Sequence, residues 1–140
     1  QALANSQVPQ VTVYCGASFG AGNYGMCGRA FHPRFCFSWP NARTAVMGGE
    51  QAATTLEIVA RQQAERKGAT VDDAKLAAQK AEIVANFERQ ASAFHTSGHL
   101  LDDGVIDPRR TRDVLAFVLA TAREAEQRTT RPMQFGVARF

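Results

Sequence analysis

The stretch Gly16–Ala30, GASFGAGNYGMCGRA, carries five glycines in fifteen residues, directly after the apolar run VTVYC. Glycine this dense after a strand lets a backbone come close to something. That something is a phosphate, a neighbouring helix, or a charge that develops during a reaction. As a phosphate cradle, Gly20, Gly22 and Gly25 match GxGxxG. A dinucleotide site also wants a longer helix, a return strand and an acid about 20 residues on. Position 42 is alanine, the nearest acid is Glu50, and no GK[ST] follows for a P-loop. Tight packing accounts for glycines equally well on this motif alone. The third reading is an oxyanion site: two consecutive backbone N–H groups at a helix start can point together at a developing negative oxygen. Ala21 and Gly22 sit where such a pair belongs, between the end of a strand and the start of a helix. Ser18 and His32 are close in sequence, but no acid completes a Ser-His-Asp set around them. Donors without a nucleophile suit the stabilisation of an enolate-like charge, with the reactant or a cofactor moving the proton.

Other constellations are weaker. His95 and His99 stand four apart, but the TSG between them reads as a turn, and no HExxH glutamate is present. No metal site is expected. Asp102, Asp103 and Asp107 fall within six residues without the spacing or closing glutamate of an EF-hand, so a turn followed by a helix cap is the better account. In MGGEQAA, Gly48 and Gly49 let a strand enter a helix whose dipole favours Glu50 in the first turn. The same three residues could aim a helix N-terminus at an anion. Cys15, Cys27 and Cys36 are odd in number and form no CxxC, which fits buried free thiols rather than a disulfide framework or a zinc site.

The elements that must position these residues follow from pattern. VPQVTVYCG reads as a buried strand, with Val11, Val13 and Cys15 facing one way and Thr12 and Tyr14 the other. A turn or two of helix is expected between Gly22 and Arg29, then short strands in RFCFSW and RTAVMGG. After Gly49 the texture becomes helical, with Ala52, Leu56 and Val59 on one face and Gly68 as a stop. A second helix follows, capped by Thr70 or Asp72, with Leu76, Ile83 and Phe87 on one side. FHTSGHLLDDGVIDP reads as turns. Asp107 and Pro108 then open a helix whose stripe of Val114, Leu115, Val118, Leu119 and Ala122 predicts the best-packed helix of the chain.

The chain has 140 residues, 45% of them hydrophobic, which is enough for one modest core. Its thirteen arginines and three lysines are scattered among acids for a net charge of +3, unlike the stripe of a nucleic-acid reader. No apolar run reaches the ~18 residues of a membrane span, and no signal peptide is visible. The opening QALANSQVPQ lacks an initiator Met and reads as the frayed end of a helix feeding a strand, so the chain is expected to be the C-terminal piece of something longer. It divides into a strand and glycine-turn core at about 8–50, a helical layer at about 50–128 and a tail at 129–140, all within one mixed α/β unit.

Three long motifs, GASFGAGNYGMCGRA, PRFCFSWPNARTAVMGGEQAA and LLDDGVIDPRRTRDVL, closely resemble the carboxyltransferase (β) subunit of biotin-dependent acyl-CoA carboxylases. The nearest branch is that of the 3-methylcrotonyl-CoA and geranyl-CoA carboxylases. The resemblance runs from about Val11 to Phe140 and is weakest between Arg61 and Arg89. It implies a crotonase-like fold, a ββα superhelix, with this chain as the C-terminal portion of the second of two domains, in a hexamer of the full subunit. It implies that the backbone N–H groups of Ala21 and Gly22 hold the ureido oxygen of biotin, with Phe19, Gly20, Asn23 and Tyr24 around it. Biotin would arrive on the carrier of a biotin carboxylase (α) partner subunit, and its own nitrogen would take the proton from the acyl-CoA, so no protein acid or base is needed. The resemblance places the enzyme in the cytoplasm of a bacterium or in the mitochondrial matrix, with the fragment inactive alone. FHTSGHLLDDG stands where the methylcrotonyl type commonly reads YYSSARLWDDG, and FGVARF where it reads FGVFRM, which tilts the expected substrate towards a geranyl-type or related branched acyl-CoA. Two rivals remain: a crotonase-fold acyl-CoA hydratase or isomerase, which would set a carboxylate such as Glu50 beside the oxyanion pair, and a non-catalytic module for subunit assembly.

Overall fold

The computed structural model describes residues 1–68, 70, 72–130 and 136. The expected tail at 129–140 therefore lies almost wholly outside the described residues. Contacts divide the chain into two compact units, Gln1–Pro108 and Arg109–Phe140.

In the first unit a single turn of helix, α1 (Ala2–Asn5), precedes the strand β1 (Val11–Tyr14). A second strand, β2 (Ala17–Phe19), runs straight into the short helix α2 (Gly20–Gly25). β3 (Phe35–Ser38) and β4 (Arg43–Ala45) then repeat the strand pair. β3 lies parallel to β1, with Val11 opposite Phe35 and Tyr14 opposite Ser38. β4 lies parallel to β2, with Ala17 opposite Arg43 and Phe19 opposite Ala45. Parallel pairing needs a crossover, and β2 with α2 supplies it. The other side of β3 is covered by the segment Asp103–Ile106, which the sequence reads as a turn. Asp103 N–H donates to Cys36 O at 2.6 Å, Ser38 N–H to Gly104 O at 3.1 Å and Ile106 N–H to Ser38 O at 2.9 Å.

The core beneath these strands is small: Tyr14, Cys36, Ala42 and Ala93 are buried together, with Val105 packed against them. Cys27 and Cys36 are buried free thiols as expected, whereas Cys15 is exposed, because it falls beyond the last paired residue of β1.

α3 (Gly49–Arg66) and α4 (Asp73–Ala91) form a helical hairpin. Of the two caps weighed for α4, Asp72 takes the role: its carboxylate accepts from Ala74 N–H and Lys75 N–H, both at 3.1 Å. The inner face of α3 is not the one its larger apolar residues mark. Leu56 and Val59 are 50% and 41% exposed. Ala52, the third residue of the expected face, is buried, and with it Gly49, Ala53, Glu57, Ala60 and Ala64 are covered, a stripe made mostly of small side chains. Small residues let the two backbones approach. A Cβ on Gly49 would lie 3.1 Å from Phe87 Cβ and 3.2 Å from Val84 O. On α4 the expected face holds, since Leu76, Ile83 and Phe87 are all partly buried.

α5 (Ala93–Gly98) is a helix that the sequence reading misses. Ser92 caps it, accepting from His95 N–H, and Ala93 N–H ties its start to Ala42 O at 3.1 Å. In the second unit, α6 (Thr111–Gln127) starts after a 3-10 turn at Pro108–Arg110, so the proline opens that turn and not the α-helix itself. Of its expected apolar stripe only Val118 is fully buried, and Leu119 is 58% exposed. It is not the best-packed helix: α3 buries three residues.

Candidate functional site

At the centre of the glycine stretch the chain passes from strand to helix within one residue. Phe19, half-buried at the end of β2, is the N-cap in extended conformation, and Gly20 takes a left-handed φ of +53°. A Cβ on Gly20 would also meet Val46 O at 3.0 Å, so both its φ and its space require glycine. Gly28 is fixed more severely, because a Cβ there would lie 1.7 Å from Asn23 Oδ1 and 2.8 Å from Asn23 O. These two glycines answer to packing. Gly22 does not: nothing lies within 4 Å of where its Cβ would stand, and it has helical geometry that any residue adopts.

Ala21 and Gly22 are the second and third residues of α2, and both are exposed. N–H groups in the first turn of a helix have no acceptor within the helix. No side chain caps them here. They are adjacent donors on exposed residues.

The remainder of α2 is anchored through one hydroxyl. Asn23 Nδ2 donates to Tyr14 Oη at 3.2 Å and to Ser18 Oγ at 3.1 Å. Arg29 N–H also donates to Tyr14 Oη at 3.2 Å. Burial and hydrogen bonding to Cys36 push the Tyr14 phenol above its ordinary value. Burial, the largest cause, likewise pushes the Cys36 thiol up, with the carboxylates of Asp102 and Asp103 adding to the effect. Asp103 Oδ2 accepts from Cys36 N–H at 2.7 Å while Oδ1 pairs with Arg29 at 3.4 Å. Asp102, 5% exposed, accepts from the Ser38 hydroxyl through one oxygen and from Gly104 N–H at 3.0 Å through the other. The two carboxylates thus hold strand β3 and the 3-10 turn at Arg29.

Beside α2 lies a largely apolar cavity of about 470 Å³. Gly20, Asn23 and Tyr24 line it from α2, facing Tyr14, Arg29, the stretch Thr44–Val46 and Leu101. Tyr24 packs edge-on against Phe31, with ring centroids 6.0 Å apart. The lining holds no carboxylate, histidine or cysteine. Of the residues expected around the site, Gly20, Asn23 and Tyr24 are brought together here, while Ala21, Gly22 and Phe19 lie outside the lining. Gly48, Gly49 and Glu50 are not part of it either. Gly48 is an N-cap without a side chain, Gly49 is packed against α4, and Glu50 is exposed in the first turn of α3.

Ser18 has no catalytic partner and serves as the acceptor for Asn23, while His32 ends the 3-10 turn with a φ of 51°. His95 and His99 stack at 4.3 Å, and among the described residues no group of three metal-ligating side chains comes together. Tyr14, Arg29, Asp102 and Asp103 were not singled out for this role in the sequence, because their partners are distant along the chain.

Parallel strand pairs linked by a strand-to-helix glycine turn define a crotonase-like architecture, and the solved structures that match it are carboxyltransferases of that fold. The P. aeruginosa geranyl-CoA carboxylase β subunit superposes with a TM-score of 0.86 at 44% identity, covering 100% of this chain and 26% of that one. A transcarboxylase 12S subunit, described as a hexamer, superposes with a TM-score of 0.69 at 28% identity, covering 98% of this chain and 24% of its own. In sequence, a probable biotin-dependent acyl-coenzyme A carboxylase β2 subunit of Mycobacterium tuberculosis is 49% identical over 99% of this chain and 26% of its own length. A probable mitochondrial methylcrotonoyl-CoA carboxylase β chain of Drosophila melanogaster is 44% identical over 99% of this chain and 24% of its own. Residues 1–136 match the Carboxyl transferase domain family, and the chain belongs to that family. It spans about a quarter of the length of these relatives. Among the described residues no helix is long and apolar enough to cross a membrane.

Proposed function

We propose that this chain is the biotin-receiving part of a carboxyltransferase subunit that moves a carboxyl group to a branched, unsaturated acyl-CoA of the 3-methylcrotonyl or geranyl type. The observation that carries this reading is the vacancy of space at Gly22. Its neighbours Gly20 and Gly28 are needed for packing, yet a Cβ at Gly22 would meet nothing within 4 Å, and neither its N–H nor that of Ala21 is capped by a side chain. That combination fits the ureido oxygen of biotin, an acceptor that gains negative charge as the carboxyl group leaves. When bound, biotin supplies the carboxyl group and the atom that takes the substrate proton. The chain's own residues then bind and orient: Ala21 and Gly22 donate, and Tyr24 with the apolar cavity walls forms the surface beside them. In this reading the acyl-CoA half of the site lies elsewhere in the full subunit, and biotin arrives on a separate partner subunit.

The test uses the complete subunit co-expressed with its biotin-carrying partner. Labelled bicarbonate is followed into acid-stable product with 3-methylcrotonyl-CoA, geranyl-CoA and propionyl-CoA offered in parallel. A Cβ at Gly22 meets nothing within 4 Å among the described residues, so Gly22→Val should leave assembly intact and lower kcat by ~10²–10³, the usual loss for one oxyanion donor. A wild-type complex that is folded and biotinylated but fixes no label on any of the three would overturn the reading, as would full turnover by Gly22→Val.

A further inference from the structure

An asparagine carboxamide has two N–H donors and one oxygen. In Asn23 both donors are engaged, one towards Tyr14 Oη at 3.2 Å and one towards Ser18 Oγ at 3.1 Å. The rest of the side chain lies over Gly28, at the point where a Cβ would stand, 1.7 Å from Oδ1 and 2.6 Å from Cγ. Gly28 N–H in turn donates to Asn23 O at 2.8 Å. Nothing in the group is left to donate to a ligand.

Tyr14 Oη is equally committed. It accepts from Asn23 and from Arg29 N–H, and it is buried in one cluster with Cys36. Tyr14 is 8% exposed and Cys36 0%, and the bonds to Asn23 and Arg29 are part-buried. The side chain of Asn23, the residue next to Gly22, is therefore fastened to β1, β2 and the Gly28 turn at once.

Resting on the proposed carboxyl transfer at Ala21 and Gly22, we infer that Asn23 is a positioning residue: through Tyr14, Ser18 and Gly28 it fixes the direction of the adjacent N–H pair and does not itself touch biotin. A group that only orients donors acts on the reacting geometry and leaves ground-state affinity alone. A misplacement of about 1 Å costs on the order of 10²-fold in rate. Tyr14→Phe removes the shared acceptor by deleting one oxygen, and so cuts the same link from the other end.

The experiment compares wild type, Asn23→Ala, Tyr14→Phe and the double variant in the assembled full-length subunit. Carboxyl transfer is measured both with the biotin-carrying partner and with free biotin. Each single variant should lose about 10²-fold in kcat with the KM for acyl-CoA and for free biotin unchanged. The double variant should lose no more than either single, because one link is broken twice. Retained kcat, a raised KM for free biotin with kcat preserved, or additive losses would each overturn the inference. If Asn23→Ala fails to assemble, Tyr14→Phe alone decides by the same split between kcat and KM. Failure of the underlying reading shows separately, as a wild type that transfers nothing.

Discussion

Around the glycine turn, side chains bond to backbone and side chains far away in sequence, whereas α3 and α4 meet through alanines and exposed ion pairs. Asp102 reaches back 64 residues to Ser38 and Asp103 67 residues to Cys36 N–H. In the hairpin, Glu57 pairs with Arg61 at 3.1 Å and with Lys80 at 3.4 Å, and Arg61 pairs with Asp73 at 3.0 Å. A buried polar network has one satisfied arrangement, so it specifies a geometry. A face of alanines with solvated charges accepts many sequences. The difference fits the resemblance pattern, which is strong through the turn and weakest at Arg61–Arg89. Precision is concentrated around the glycine turn.

The largest effect that would break this comparison is at Gly28. Its Cβ would overlap Asn23 Oδ1 and lie 2.8 Å from a backbone oxygen, so Gly28→Ala must displace both the side chain and the turn. Overpacking of this kind costs ~1–3 kcal/mol before the lost Asn23 bonds are counted. Little assembled subunit should form, as read by size-exclusion chromatography; normal assembly with full turnover would show the turn to be far more plastic than described. Next comes Asp102→Ala, which leaves the Ser38 hydroxyl and Gly104 N–H without their acceptor. A buried group left unpaired costs ~1–3 kcal/mol. The thermal midpoint should fall clearly, and Asp102→Asn, which keeps one acceptor and the shape, should fall less.

A smaller effect is read by pH. The Cys36 thiol is raised above its ordinary 9.0 in the folded state, so above about pH 9 the unfolded chain loses a proton that the folded one keeps. Stability at this residue is complete below that pH and declines as pH rises. Peptide mapping after alkylation should find Cys15 modified at neutral pH and Cys36 only as the pH climbs beyond about 9. Early modification of Cys36 would contradict the closed network around Tyr14.

The strands β1, β3 and β4 were legible because β-branched and aromatic runs end in glycine or proline. β2 was not: Ala-Ser-Phe has no alternation, and its partner β4 is what makes it a strand. α5 was hidden by His, Thr, Ser and Gly, and forms because Ser92 caps it and Ala42 receives Ala93 N–H. The glycine turn was legible as a special backbone, and Ala21 and Gly22 fall at its helical start. Which glycine answers to packing and which stands open was not, since Val46 O and Asn23 Oδ1 approach Gly20 and Gly28 only in the fold. The pairing of Asp102 and Asp103 with β3 is likewise a tertiary fact. Leu56 and Val59 misled the reading of α3 because size suggested burial, while close helix approach selects alanine.

The smallest expected effect lies in that hairpin. Hydrogen bonds from Arg61, then from Lys80, hold the Glu57 carboxyl below its ordinary 4.5. A carboxylate lowered in the folded state stabilises above that pH, and the contribution is lost as pH falls through the folded value. Glu57→Gln should therefore differ from wild type most above about pH 4.5, less as pH falls below it, and converge with it in stronger acid. Added salt should narrow even that gap, because the pairs are half-exposed and screened. Carboxyl transfer should be untouched, since no atom of the hairpin pairs lines the cavity beside α2. A loss of turnover in Glu57→Gln with assembly intact would mean that the hairpin feeds back on the turn, and the division drawn between the two regions would have to move.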